Sequence, residues 1–177
     1  MGPRIFVLVI AIDKYPTRPL SGCLNDGKAM VHFLKDKLKV PSENIEVLED
    51  FEATSSNILS KFDSHFIKNS KIQYGDSIIF YYAGHGTRMN IPHDISPHGH
   101  TMEGICPWDC DSVGPIWSIR FNWLMQELAL TKGDNIVRLP LSKPSDQILI
   151  KILSSLLRQL SLTAVSLAVL PDGMNPI

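Results

Sequence analysis

The chemistry this chain could perform centres on His85, which stands between Gly84 and Gly86 directly behind the run Ile-Ile-Phe-Tyr-Tyr at residues 78–82. Such a run, β-branched and aromatic without polar alternation, is the pattern of a strand buried on both faces of a parallel sheet. In open α/β sheets the reacting groups gather just beyond the carboxyl ends of the strands, and His85 falls there. An imidazole that titrates near neutrality can serve at such a place as general base and proton shuttle. The flanking glycines predict unusual backbone angles and close approach by another segment. The competing reading is a glycine turn that carries an incidental imidazole.

Other side chains invite chemistry less directly. In Leu20-Ser21-Gly22-Cys23-Leu24-Asn25-Asp26 a loop leads into a helix, with Asn25 or Asp26 placed to cap its first turn. His93, Asp94, His98 and His100, joined by Cys106 or Cys110, are numerous enough to ligate zinc. Their spacing fits no zinc pattern and no rigid element aims them, so no tight zinc binding is expected and no metal or cofactor is assigned. Asp94, Glu103, Asp109 and Asp111 are sparse beside the six to eight oxygens calcium takes.

Elements must hold these residues in place. With 177 residues, 44% hydrophobic content and a net charge of −1, the chain reads as an ordinary globular domain and not as a nucleic-acid binder or a disordered tail. Three unevenly placed cysteines make no disulfide framework and suit a reducing, cytoplasmic compartment. The apolar stretch at residues 5–12 is too short for a signal peptide and reads as a buried first strand. Gly2 is no myristoylation site, because Phe6 stands where serine or threonine is needed.

Leu24, Val31, Leu34 and Leu38 then share one helical face, residues 45–48 form a short strand, and Thr54 or Ser55 caps a helix bearing Ile58, Phe62 and Phe66. Alternating strands and helices up to residue 82 predict a parallel sheet covered by helices. Residues 87–115 show no period and read as a long loop of the functional kind. A helix through Trp117, Phe121, Leu124 and Leu128 follows. Gly133-Asp134-Asn135-Ile136 repeats the Gly75-Asp76-Ser77-Ile78 phrase, but Pro140 and Pro144 reduce the strand expected there to a stub. Beyond it, Lys151, Ser154, Ser155 and Arg158 mark the polar side of an amphipathic helix near residues 145–160. Residues 148–170 are long enough to span a bilayer, yet Lys151, Arg158 and Gln159 make that costly, and no membrane span is expected.

Four phrases in order carry a resemblance: Val9-Ile10-Ala11-Ile12-Asp13, Leu20-x-Gly22-Cys23-x-Asn25-Asp26, Tyr82-Ala83-Gly84-His85-Gly86, and Glu103-Gly104-Ile105-Cys106-Pro107-Trp108-Asp109. Together they resemble the caspase-like cysteine peptidases of the metacaspase type (peptidase C14), over residues 4–136. The resemblance implies an α/β fold, a caspase-like three-layer sandwich with a mostly parallel central sheet, incomplete at its C-terminal part, with residues 137–177 as a divergent tail. It implies a cysteine–histidine dyad hydrolysing peptide bonds, with His85 as base and the Gly86 amide in the oxyanion hole. Asp26, with Cys23 beside it, would hold the basic side chain before the cleaved bond of a peptide or protein substrate; the alternative is that Asp26 only caps its helix. Ala83 replaces a serine common in the family. Calcium activation, frequent there, finds no support in this loop.

The nucleophile does not follow. Caspases place it about 50 residues after the histidine, and the resemblance implies an Asp-x-Cys-x-Ser-Gly phrase on the strand after Gly133-Asp134-Asn135-Ile136. The chain reads Val137-Arg138-Leu139-Pro140-Leu141-Ser142, and no cysteine follows Cys110. The expected function is that of a peptidase domain inactive as written. A non-catalytic interaction module and a histidine-loop metal protein are the rivals, and oligomeric state is left open.

Overall fold

A computed structural model of the chain describes residues 4–91 and 101–141. The order of elements is β1 (Ile5–Ala11), α1 (Cys23–Asp36), β2 (Ile45–Glu49), α2 (Ser55–Lys61), β3 (Ser77–Ala83), β4 (Gly86–Asn90), β5 (Thr101–Ile105), α3 (Cys110–Val113), β6 (Ile116–Trp117), α4 (Ser118–Lys132) and β7 (Ile136–Leu141). A π-helical turn, Phe62–Ile67, extends α2.

Four strands form a parallel sheet in the order β2-β1-β3-β7. Successive residues of a strand point to opposite faces, and both faces here are covered. Phe6, Leu8, Ile10, Ile78, Phe80 and Tyr82 meet Phe62, Phe66, Leu124 and Leu128 from the helices on one side. Val7, Val9, Ile79, Tyr81 and Ala83 meet Cys23, Met30 and Leu34 of α1 on the other. The continuous apolar runs of β1 and β3 follow from this double burial, and the three-layer α/β architecture is the one expected.

Three local expectations are corrected. Residues 87–115 are not one loop: β4, β5 and β6 form a second, antiparallel sheet. Its strand β4 is exposed from Arg88 onward, so the segment shows no apolar period. β7 is not a stub, since six residues pair with β3 from Ile78↔Ile136 to Ala83↔Leu141. It lies at the edge of the described sheet, where proline is tolerated because one row of amides feeds no ladder. The two Gly-Asp-x-Ile phrases enter these strands side by side: the Gly75 amide donates to Lys132 O, and Asn135 Nδ2 donates to Ser77 Oγ at 2.7 Å.

The third correction is the cap of α1. Neither Asn25 nor Asp26 caps it; both lie inside the helix, and the N-cap is Gly22 with φ +117, a left-handed conformation that favours glycine. The carboxylate of Asp13 accepts instead from the amides of Gly22, Cys23 and Leu24 at 3.3, 2.9 and 3.2 Å. Thr54, as expected, caps α2 through the Asn57 amide. No helix among the described residues is long and apolar enough to cross a membrane. The expected helix at 145–160 and the histidine loop at 93–100 lie outside the described residues.

Candidate functional site

The parallel strands deliver their carboxyl ends to one edge of the sheet, and the candidate residues collect there. β3 is flanked by β1 and β7, and His85 follows its last residue by two positions. Gly86 opens β4. Asp26 and Cys23 occupy the first turn of α1, which is reached from β1 through the loop of residues 12–22. That loop is fixed at its base by Asp50, a buried residue with φ +46, whose Oδ1 accepts from the amides of Asp13 and Lys14 at 2.9 Å each.

His85 is anchored through both backbone and ring. Its amide donates to Tyr15 Oη at 3.0 Å, its carbonyl accepts from the Cys106 amide at 2.9 Å, and Tyr82 Oη lies 2.8 Å from the same carbonyl. Tyr15 and Tyr82 hydroxyls are 3.1 Å apart, and each also reaches Cys106 O, at 2.8 and 2.6 Å. Burial raises both phenols above the ordinary tyrosine range, so both remain neutral hydroxyls. The Tyr15 ring lies against the imidazole with centroids 4.7 Å apart.

The ring nitrogen Nε2 is 2.8 Å from the carbonyl of Arg18. A carbonyl can only accept, so Nε2 carries the hydrogen and the lone pair of the neutral imidazole resides on Nδ1. When the ring is neutral, its acceptor nitrogen is thus fixed as Nδ1 by a backbone contact from the β1–α1 loop.

The two glycines act differently from expectation. Neither has a positive φ. Gly84 is required by space, because a Cβ there would stand 2.6 Å from Tyr15 Oη and 2.7 Å from Tyr82 Oη. Close approach, the other half of the expectation, is what the structure has. At Gly86 the constraint is pairing: the Cys106 amide donates to His85 O, and Gly86 stands opposite Ile105. Since hydrogen-bonded and non-hydrogen-bonded pairs alternate, the Gly86 amide is directed away from β5.

The Glu103–Asp109 phrase is scaffolding. Trp108 Nε1 donates to Lys14 O at 2.7 Å, the Trp108 amide donates to Ala53 O, and Asp109 Oδ1 accepts from the Ser55 amide at 2.8 Å. It ties the second sheet to the loop after β1 and to the start of α2.

All three cysteines are free. Burial, then the neighbouring carboxylate of Asp13, pushes the Cys23 thiol up to about 12. Burial, then Cys110, pushes Cys106 to about 12 as well, and burial raises Cys110. A nucleophilic cysteine needs the opposite environment, electropositive and open. β7, which lies beside the strand that leads to His85, reads Ile-Val-Arg-Leu-Pro-Leu. Among the described residues no group of three or more His, Cys, Asp or Glu side chains gathers to hold a metal ion.

Tyr15, Tyr82, Asp13, Asp50 and the Arg18 carbonyl were not among the residues expected from the sequence to build the site. Tyr15 stands in the loop after the first strand, just before Pro16, and nothing local marks its role. The others act through contacts between distant segments that no local pattern announces.

Comparison with known proteins agrees with the four phrases. The family description "Metacaspase, peptidase C14 domain" matches residues 7–139. The chain is 31% identical over 106 residues to Metacaspase-1 of Arabidopsis thaliana, covering 58% of this chain and 29% of the relative. It is 26% identical over 129 residues to Metacaspase-3 of the same plant, covering 70% and 35%. Over 86 residues it is 34% identical to Metacaspase-1A of Aspergillus oryzae, covering 45% and 20%. The chain therefore spans about a third or less of the length of these relatives.

Proposed function

The chain belongs to the metacaspase family of C14 peptidases, and on that premise we propose that it carries the histidine half of a cysteine endopeptidase site and does not cleave peptides as written. The observation that carries this is the pairing of an anchored His85 with a neighbouring strand, β7, that bears no thiol. In the inherited reaction a thiolate attacks the peptide carbonyl, Nδ1 of His85 takes the thiol proton and later gives it to the leaving amine, and the Gly86 amide meets the oxyanion. Asp26 supplies negative charge for a basic side chain of the substrate. In favour of that role over capping, Asp13 already serves the helix amides. Three free thiols favour a reducing, cytoplasmic location.

A base without its nucleophile can only steer water, and removing the nucleophile from a comparable catalytic set costs about 10⁶ in turnover. The purified chain should therefore leave arginyl and lysyl fluorogenic peptides uncut, with or without calcium. Cleavage that is abolished by Cys106→Ala or Cys110→Ala would overturn the proposal. Restoring an Asp-x-Cys-x-Ser-Gly strand after Ile136 should create activity that His85→Ala removes.

A further inference from the structure

A groove of about 500 Å³ lies between α1 and β2. Val31 of α1 and Val47 of β2 give it an apolar lining, both half-buried against the core on that face. Lys28, His32 and Lys35 line it from α1, Glu49 from β2 and Glu52 from the turn that follows. Helical spacing accounts for the first set, which falls on one stripe at i, i+4 and i+7. Strand alternation accounts for the second: Val47 and Glu49 share a face, whereas Glu46 turns to the other, where Lys61 Nζ donates to it at 3.0 Å.

The charges at the groove are unpaired. Among the described residues no ion pair joins Lys28 or Lys35 to a carboxylate, or Glu49 or Glu52 to a cation, although nearby His32 pairs with Asp36 at 2.8 Å. β2 is also an edge. Among the described residues only β1 pairs with it, so alternate amides and carbonyls face outward without a ladder. A second copy of β2 is a poor occupant, because pairing the strand with itself sets glutamates of one copy beside those of the other.

We infer that the groove takes an extended peptide of mixed charge, which pairs with the outer edge of β2. Its apolar side chain lies on Val31 and Val47, an acidic one meets Lys28 and Lys35, and a basic one meets Glu49 and Glu52. An added strand lies about 4.8 Å from β2, and its groove-facing residues recur about every 6.6 Å. Lys28 and Lys35 are about 10 Å apart along the helix, within reach of such a row on flexible stems. β1 separates β2 from β3, the strand that leads to His85, so the inference is independent of any peptidase activity.

Titration of the isotope-labelled full chain with acetyl-Thr-Glu-Thr-Val-Thr-Arg-Thr-amide, followed by amide NMR, tests it. Binding should saturate with a Kd of ~1 mM or tighter, and the shifted amides should lie in residues 28–35 and 45–49. Lys28→Glu/Lys35→Glu should weaken binding at least ~10-fold, and replacing the peptide's Glu by Lys should recover the loss. Glu49→Lys/Glu52→Lys should act likewise, with recovery when Glu replaces the peptide's Arg. N-methylation of one alternate set of peptide amides should abolish binding, and of the other set should spare it. Unshifted β3 amides report that each variant has folded. Absence of saturation, shifts elsewhere, charge reversals without effect, or tolerance of both methylated sets would overturn the inference. Equal affinity for the dipeptide Glu-Arg would assign the groove to a small zwitterion and refute strand addition.

Discussion

Gly84→Ala tests the physical basis of the histidine loop. An added Cβ would lie 2.6 Å from Tyr15 Oη, 2.7 Å from Tyr82 Oη and 2.9 Å from Tyr82 Cζ, all well inside van der Waals contact. Neither tyrosine can yield cheaply, because both hydroxyls are hydrogen-bonded to the His85 and Cys106 backbone. Overpacking of this kind costs about 1–3 kcal/mol, and each hydrogen bond displaced adds about 0.5–1.5 kcal/mol. A total of roughly 2–4 kcal/mol is expected, a large share of the stability of an ordinary domain. Tyr15→Phe alone should cost about 1–3 kcal/mol, because the His85 amide loses its acceptor. The two changes share an atom, so they should not add. Removing Tyr15 Oη removes the shortest clash, and Gly84→Ala in the Tyr15→Phe background should cost about 1 kcal/mol less than in the unaltered chain. Urea unfolding followed by far-UV circular dichroism measures the four stabilities, with an unchanged m-value as the check on two-state behaviour. Additivity within about 0.3 kcal/mol, or a Gly84→Ala cost under about 0.5 kcal/mol, would refute the reasoning.

Asp13→Ala should destabilise the chain by about 1–2 kcal/mol in the same assay, since it strips the amides of Gly22, Cys23 and Leu24 at the amino end of α1 of the carboxylate they donate to. His65 is buried against Phe6 and Phe66, its Nε2 has no hydrogen-bond partner, and burial lowers its pKa. The unfolded chain then binds the extra proton, so stability is whole above about pH 6.5 and falls as pH drops below it; His65→Phe should flatten that limb of a pH–stability curve. Cys23 and Cys106, with thiols near 12, should react with Ellman's reagent at pH 7.5 about three orders of magnitude more slowly than an exposed thiol, and should match it once the chain is unfolded in urea.

Much of the sheet was legible because burial on both faces writes itself into composition. β1 and β3 are uninterrupted apolar runs, and the buried faces of α1 and α2 keep helical spacing. β4 and β5 were not legible, since a largely exposed ribbon such as Thr87-Arg88-Met89-Asn90 has no core to impose alternation. β7 was masked by Pro140, whose missing donor matters only in the middle of a sheet. At the site, His85 announced itself by type and position. The cap of α1 did not, because its carboxylate comes from Asp13, in the loop just after the preceding strand. The Tyr15–Tyr82 pair was equally silent, for its role exists only once Cys106 is brought in from the second sheet.

The strand order β2-β1-β3-β7 also bears on how the chain assembles. β1 pairs with β2 across one helix, but its other edge waits for β3, with Ile5 opposite Ser77, and β3 waits in turn for β7, with Ile78 opposite Ile136. Parallel pairings so distant in sequence demand loop closure before any contact rewards it, which slows folding toward the millisecond-to-second range. During synthesis β1, α1 and β2 can associate early, while one apolar edge of β1 stands open until the ribosome has delivered β3. In that interval the open edge is the surface on which a chaperone, or another nascent chain, would pair.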